Sequence, residues 1–399
     1  MKALEPWKRT LWILWVSTFL AVAGTSLIVP FLPLFVQDLG VHKLSAVEQW
    51  SGWIFAAQML TAAIFQPIWG GVADRYGRKP MLLRAGIGMG TMTILMGFVT
   101  APWQLLALRF VNGVFAGFIS MAISLQASVT PKEYSGRALG TLQTGQVAGA
   151  LIGPLIGGAL AEAVGFRWVF ILTGMLLLLA SFIVWIYVHE QRSGSHAAKR
   201  DKPKVSKKHV MGLLLPVFIA SLVTQLGMMS IQPILTIYTT LLYKGSHLEF
   251  IAGLVVACTG IANLIGSPIL GKLSDVVGPK KILVISLILS AISFLPQVFA
   301  NGIPMLMVGR FLLGLFVGGM LPSLAVLVKK LAPEEMQAQA YGINSSFQFL
   351  GNLLGPVLGS TVAATWDIHD VFYVTMAILL LNAVYIQWNK QLKNPDIKI

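Results

Sequence analysis

Long apolar stretches and short polar ones alternate along almost the whole chain. Each apolar stretch is about 20 residues or longer, the length that a helix needs to cross a hydrocarbon layer about 30 Å thick. Within a stretch, apolar and polar residues do not alternate strictly, as they would in the strands of a membrane β-barrel. The pattern predicts twelve membrane-spanning helices, at residues 11–36, 48–73, 80–100, 103–126, 136–163, 166–188, 211–242, 248–274, 280–299, 303–328, 337–365 and 368–388.

Composition supports a membrane protein. Charged residues make up 11% of the chain and hydrophobic residues 56%, whereas a soluble domain carries about 25% charged residues. Backbone polar groups in lipid must bond to one another, which favours helices here. We therefore expect an all-α polytopic membrane protein. The single cysteine, Cys258, lies in an apolar stretch, and no nucleophile–base set or metal cluster is visible, so we expect no enzymatic activity, no cofactor and no metal.

The first apolar stretch, residues 11–36, is too long for the core of a signal peptide, and no small-residue cleavage site follows it. We interpret it as span 1. Lys and Arg concentrate in both terminal tails and in the loops on the same side, whereas the opposite loops carry Lys43, Arg167 and Lys244. The positive-inside rule then places both termini in the cytoplasm and the chain in the cell membrane. The net charge of +14 is explained by a face that meets anionic lipid, without a nucleic-acid partner.

The chain contains an internal repeat. Residues 66–82 align with 267–283, and residues 108–117 align with 309–318, both 201 positions further on; residues 145–158 align with 347–360. Six spans have therefore been duplicated, which gives two parallel halves. Polar, basic residues without periodicity separate them. We expect a first half at residues 1–190, a cytoplasmic basic linker at 191–210 and a second half at 211–399.

Three motifs resemble those of the major facilitator superfamily, in its twelve-span drug:proton antiporter branch. The first, between spans 2 and 3, consists of Gly70, Ala73, Asp74, Arg75, Gly77, Arg78 and Lys79. The second, in span 4, consists of Leu106, Arg109, Asn112 and Gly113. The third, in span 5, consists of Gly149, Gly153, Pro154, Gly157 and Gly158.

The resemblance implies the fold of that superfamily, with two pseudo-symmetric six-helix halves. It also implies export of amphiphilic drugs or other small molecules in exchange for protons, by alternating access. We expect a monomer surrounded by membrane lipid. Export or flipping of a lipid or a sugar is the alternative, since the same scaffold serves those substrates.

The resemblance further implies that Asp74 contacts the start of span 11, in the other half, when the protein is open outward. A carboxylate favours the positive N-terminal end of a helix. The repeat predicts a matching contact from Asp275 to the start of span 5 near Ser135, and Arg78 and Glu133 would extend the first contact as a charge network. Arg75 and Lys79 fit the positive-inside rule. Gly70 and Gly77 allow close helix approach and a tight turn.

The glycines of span 5, at 149, 153 and 157, form a smooth stripe that allows close packing. Pro154 removes a helix hydrogen bond and can bend the span. A bent, close-packed helix at the edge between the halves could act as a seal or a pivot, although ordinary packing explains the stripe as well.

A proton site requires an acid or histidine in a perturbing environment, and no Asp, Glu or His lies at mid-span. The candidates for proton coupling are Arg109, inside span 4, Glu162, late in span 5, and Asp38, at the outer end of span 1. Arg310 repeats Arg109 in the second half.

By analogy with the family, spans 1, 4, 7 and 10 line a central cavity, with spans 2, 5, 8 and 11 beside them. Met, aromatic and amide side chains in such a cavity would accept varied amphiphiles. Packing between helices explains any single one of them equally well. The candidates are Phe31, Phe35, Met121, Gln146, Gln225, Met228, Met229, Gln232, Asn344 and Gln348.

Overall fold

A computed structural model describes residues 5–28, 32–188, 190, 207–243 and 248–392 of the 399-residue chain. Over these ranges the chain is helical, with no strand. The α-helices are α1 (Pro6–Ile28), α2 (Leu32–Asp38), α3 (Leu44–Tyr76), α4 (Arg78–Met96), α5 (Pro102–Phe115), α6 (Phe118–Val129), α7 (Ser135–Val164), α8 (Phe166–Tyr187), α9 (Lys207–Ser230), α10 (Gln232–Leu242), α11 (Leu248–Val277), α12 (Pro279–Ile292), α13 (Leu295–Val298), α14 (Ile303–Leu331), α15 (Gln337–Thr365) and α16 (Ile368–Trp388).

These helices account for the twelve predicted spans. In the part of the chain that the structure describes, eight helical stretches are long and apolar enough to cross a membrane. The other four predicted spans, numbers 2, 3, 5 and 11, are helices of 33, 19, 30 and 29 residues. Most of the predicted linker lies outside the described residues.

The predicted spans 4, 7 and 9 are not single helices. Span 4 is interrupted between Phe115 and Phe118, span 7 at Ile231, and span 9 between Ile292 and Leu295. Span 10, the repeat partner of span 4, is one continuous helix from Ile303 to Leu331. The two halves therefore differ at the middle of their fourth spans.

Each half has its own apolar core. In the first half, Leu14, Leu82 and Leu125 belong to one buried cluster, and Phe35 and Phe170 belong to another. The second half is built around a larger cluster that includes Phe218, Tyr238, Leu287, Phe294 and Phe372. Helices of one half therefore pack mainly on one another, as expected for a duplicated six-helix unit.

The outer surface is apolar. Trp53, Phe98 and Leu381 are 68%, 64% and 67% exposed, far more large apolar surface than a soluble protein leaves uncovered. Because many such side chains surround the helices, the surface is suited to lipid rather than water.

Two glycines end helices at equivalent positions of the repeat. Gly77 and Gly278 have φ values of 105° and 102°, in the region that only glycine adopts without strain. The end of the bundle that carries these two turns, together with the turns at 130–134 and 332–336, is called the basic end below.

Candidate functional site between the two halves

The Asp74 carboxylate bridges the two halves at the basic end. It accepts hydrogen bonds from the backbone N–H groups of Ala338 and Gln339, both at 2.8 Å. These are N–H groups of the first turn of α15, which have no partner within the helix. The side chain is only 5% exposed, and the N-terminal end of a helix favours the negative charge. Asp74 thus caps span 11, the contact that the resemblance implies.

Asp275 makes the matching contact in the opposite direction. Its carboxylate accepts hydrogen bonds from the backbone N–H groups of Gly136, at 2.5 Å, and Arg137, at 2.8 Å. Both lie in the first turn of α7. Each half therefore supplies one carboxylate that caps a helix of the other half.

Glycines bring the backbones of the two halves into direct contact beside these caps. A Cβ atom on Gly70 would lie 2.5 Å from the carbonyl oxygen of Ala338, closer than packed atoms allow. Gly342 likewise has no room for a Cβ against Gln66, nor has Gly136 against Gly271. The contacts of α3 with α15 and of α7 with α11 are called the two seams below.

The bases of the first motif differ in their surroundings. Arg78 lies 3.8 Å from the Asp74 carboxylate and donates to the Glu334 carbonyl oxygen at 3.2 Å. Lys79 donates to the Trp185 carbonyl oxygen, near the end of α8, at 2.8 Å. Arg75 is exposed. Lys79 therefore stabilises a helix C-terminus, where a cation is favoured, in addition to fitting the positive-inside rule.

The predicted interaction partner of Glu133 was wrong. We expected it to extend the Asp74–Arg78 contact, but Arg78 bonds to the Glu334 backbone and Asp74. Glu133 instead interacts electrostatically with Lys329. The reason is topological: Glu133 lies in the short turn Lys132–Tyr134 before α7, at the seam that Asp275 closes.

Lys329 completes this second seam, and sequence reasoning missed it. From the end of α14 its ammonium group donates to the Thr130 carbonyl oxygen and to the Ser135 hydroxyl, both at 2.7 Å. Residue 128, its repeat partner, is a serine, so the repeat gave no signal. The positive-inside rule already explained its charge.

The glycine stripe of span 5 packs against span 1 of its own half. Cβ atoms on Gly149, Gly153 and Gly157 would lie 2.6 to 2.7 Å from backbone atoms of α1. Pro154 lies inside the continuous helix α7. Another face of α7 contacts α11 through Gly136 and Gly140, so span 5 lies between its own span 1 and the other half.

Arg109 is buried in span 4 and held by an amide. Its Nη1 donates to Gln58 Oε1 of span 2 at 2.5 Å, and Gln58 Nε2 donates to Asn112 Oδ1 at 3.3 Å. Asn112 continues to the Thr93 hydroxyl of span 3 at 3.1 Å. Sequence analysis did not single out Gln58, which is one of three glutamines within predicted span 2.

Asp38 does not pair with Arg109: the ion pairs among the described residues include neither of them. Asp38 is exposed at the end of α2. Glu162 lies in the last turns of α7, and its side chain falls outside the described part. The structure therefore ties Arg109 to amides and a hydroxyl.

Several cavity candidates form a polar connection between spans 7 and 11. Ser221 donates to Asn344 Oδ1 at 2.6 Å, and Gln225 donates to Asn352 Oδ1 at 2.8 Å. Gln146, in span 5, is half-buried, and its amide nitrogen has no hydrogen-bond partner. Amides at these positions can turn toward a bound molecule, since each can both donate and accept.

Other cavity candidates are placed differently. Phe35 is fully buried, with its ring centroid 4.7 Å from that of Phe170, so the expectation that it lines a cavity was wrong; it belongs to the core of the first half. Met121 is also buried in a core cluster. Gln232 is exposed. Met228, Met229 and Gln348 are half-buried. Phe31 lies outside the described residues.

The fold and the crosswise caps define a membrane protein of two pseudo-symmetric six-helix halves that close against each other at one end. Matches to the family model of the Major Facilitator Superfamily cover residues 14–249 and 217–398, and the chain belongs to this family. The resemblance noted from the sequence is thereby confirmed.

Relatives and solved structures agree with this assignment. The chain is 41% identical to the multidrug resistance protein MdtG of Yersinia enterocolitica, over 96% of this chain and 93% of that one. It is 43% identical to the protein of the same name from Serratia proteamaculans, over 96% and 94%. Two solved structures share the fold with a TM-score of 0.80: the human organic anion transporter MFSD10, at 17% identity over 96% of this chain and all of that one, and the proton:xylose symporter XylE, at 15% identity over 96% and 95%.

Proposed function

We propose that this chain exports amphiphilic drugs across the cell membrane in exchange for protons, by alternating access. The observation that carries the proposal is the pair of crosswise caps, Asp74 on span 11 and Asp275 on span 5. They close one end of the bundle through few polar contacts. The names of the MdtG relatives support drugs as the substrate.

Alternating access requires the basic end to open. Opening would separate the two seams and break the hydrogen bonds of Asp74, Asp275 and Lys329. Hydrogen bonds to charged groups contribute about 1.5–3 kcal/mol each, and water replaces part of that when the gap is hydrated. A binding event that contributes a few kcal/mol could therefore shift the equilibrium between the two states.

The basic end is proposed to face the cytoplasm, with both termini on that side, because the bases follow the positive-inside rule. The protein is proposed to act as a monomer, since each half already provides the contact surface of the other. The amide groups of spans 7 and 11, and Gln146 of span 5, are proposed to contact the substrate. Met228, Met229 and Gln348 are proposed to complete the apolar part of the same cavity.

Proton coupling is assigned to the end of the bundle opposite to the basic end. Glu162 is the proposed proton carrier, with Asp38 as the second candidate. The buried charge of Arg109, held by Gln58, would disfavour a second cation nearby. A proton and a cationic drug would compete for the Glu162 carboxylate, and this competition provides a physical basis for exchange.

The test is transport of a fluorescent cationic dye and of a fluorescent phospholipid by the purified chain in proteoliposomes. An imposed pH gradient should drive dye movement, and a protonophore should abolish it. Loss of gradient-driven transport in Glu162→Gln, with Asp38→Asn unaffected, would support the carrier assignment. Dye transport at the same rate with and without the pH gradient would overturn proton coupling. Movement of the phospholipid without the dye would favour the lipid alternative.

A further inference from the structure

Span 4 is interrupted in its middle, and the side chains of Trp69 and Arg84 bond to the backbone at this interruption. Neither residue belongs to the three motifs described above. Ala116 is extended, with φ −54° and ψ 154°, and Gly117 has φ 132°. A break inside a membrane span leaves backbone carbonyl groups without helical partners, and these must be satisfied by neighbouring groups.

Trp69 and Arg84 supply the missing donors. Trp69 Nε1 donates to the Val114 carbonyl oxygen at 2.7 Å, and Arg84 Nη1 donates to the Phe115 carbonyl oxygen at 3.1 Å. The Arg84 guanidinium also lies over the Trp69 ring, 3.9 Å from its centroid. A planar cation can stack on an aromatic face and donate from its edge at the same time.

The second half provides an internal comparison. The residues 201 positions after Trp69 and Arg84 are Leu270 and Ile285, and Gly117 corresponds to Gly318. At Gly318 the helix α14 continues without interruption. The half that has the arginine and tryptophan has the break, and the half that has two aliphatic residues does not. A glycine alone therefore does not produce the interruption.

The break separates two parts of span 4 with different contacts. The outer part, α5, carries Arg109 and its bond to Gln58. The inner part, α6, leads to Thr130, whose carbonyl oxygen accepts a hydrogen bond from Lys329 of the other half. The direction of α6 therefore decides whether Thr130 and the start of span 5 reach the second seam.

We propose that Arg84, stacked on Trp69, is a positioning residue for transport: it fixes the interruption of span 4 and so sets the placement of α6 against the second half. It acts through the carbonyl groups of residues 114 and 115 and needs no contact with the substrate. The proposal rests on the proposed export function where it is tested by dye export. Its second test, hydrogen exchange of the backbone at the interruption, does not depend on any substrate.

The experiment is a double-mutant cycle between Arg84→Ile and Gly117→Ala. The first variant places the second half's residue at position 84, and the second disfavours the backbone conformation of the break. Each single variant should lower pH-driven dye export by about tenfold. If both act through the same break, the double variant should resemble the single variants, whereas independent effects would multiply to about a hundredfold. A multiplicative result, or export by Arg84→Ile within about twofold of wild type, would overturn the proposal.

Hydrogen exchange of the peptide over residues 110–121 supplies the substrate-free readout. Removal of the Arg84 guanidinium should speed exchange in this peptide and leave the equivalent peptide of span 10 unchanged. Equal exchange in wild type and Arg84→Ile would count against the proposal even if the wild-type chain transports no dye. Arg84→Lys, which keeps a donor and the charge, replaces the isoleucine variant if that variant does not fold. It should keep part of the wild-type protection, and full loss of export with unchanged exchange would contradict the positioning role.

Discussion

Lys329, at the end of span 10, donates a hydrogen bond of 2.7 Å to the hydroxyl of Ser135, at the start of span 5 in the other half. The same ammonium group also reaches the Thr130 carbonyl oxygen. With Asp275 on the N–H groups of Gly136 and Arg137, this seam is closed by a cation and an anion from the second half. The Asp74 seam is closed by the anion of the first half, with Arg78 beside it.

Replacing Lys329 by Met should weaken the closed state of the basic end. The methionine keeps most of the apolar stem but donates no hydrogen bond, and each lost bond to a charged group contributes about 1.5–3 kcal/mol. We expect a larger open population, measured by spin-label distances between spans 5 and 8 at the basic end. Lys330→Met is the matched control, because Lys330 is the next residue and is exposed. Equal distance distributions in both variants would contradict the role of Lys329.

Asp74→Asn and Asp275→Asn should each impair transport without loss of expression. The amide keeps the size of the side chain, but it removes the charge that the N-terminal end of a helix favours. Because the two seams are separate, the double variant should open the basic end more than either single variant. Glu335→Gln, at an exposed acid near the start of span 11, is the control. Normal transport rates in Asp74→Asn would mean that transport does not depend on the charge of the Asp74 cap on span 11.

Gly70→Ala should prevent full closure of the first seam. Its Cβ would lie 2.5 Å from a backbone oxygen, which cannot move aside as a flexible side chain can. Gly52→Ala is a control in the same helix, since a Cβ there meets nothing within 4 Å. The measurement is the yield of a cysteine cross-link between spans 2 and 11 in a Cys258→Ser background. Similar yields for both alanine variants would show that the seam tolerates the methyl group.

Gln58→Leu should lower the apparent melting temperature of the detergent-solubilised protein. The leucine leaves the buried Arg109 guanidinium without its bond to the Gln58 amide, and an unsatisfied buried charge costs several kcal/mol. Gln58→Leu with Arg109→Leu should recover stability, because both partners are then removed together. Transport should stay low in the double variant if Arg109 serves proton coupling. A double variant less stable than Gln58→Leu would show that Arg109 has other partners.

Much of the fold was predictable, because each span needs a long apolar stretch and loops gather bases. The repeat also predicted the Asp275 contact from that of Asp74, since matching residues at equivalent positions of a duplicated unit make matching contacts. Phe35 was wrongly predicted to line the cavity, because an apolar side chain is equally compatible with a cavity wall and with a core. The sequence alone does not show which neighbours surround it.

Charges inside the bundle were harder to interpret. Lys329 and Arg84 were both explained by the positive-inside rule, although one joins the halves and the other satisfies carbonyl groups of a broken span. A rule that accounts for the presence of a charge gives no information on its partner. The break in span 4 was also missed, because Gly117 is one of 39 glycines and its partners lie on other spans.

The glycine contacts at the two seams have a kinetic consequence. Where Gly70 meets the Ala338 backbone and Gly136 meets the Gly271 backbone, no side chain has to choose a rotamer when the surfaces meet or part. Closing such a contact loses little side-chain conformational entropy, and opening it requires no interdigitated groups to withdraw. The glycine parts of the seams can therefore separate as smooth surfaces, and the charged hydrogen bonds beside them lengthen the lifetime of the closed end.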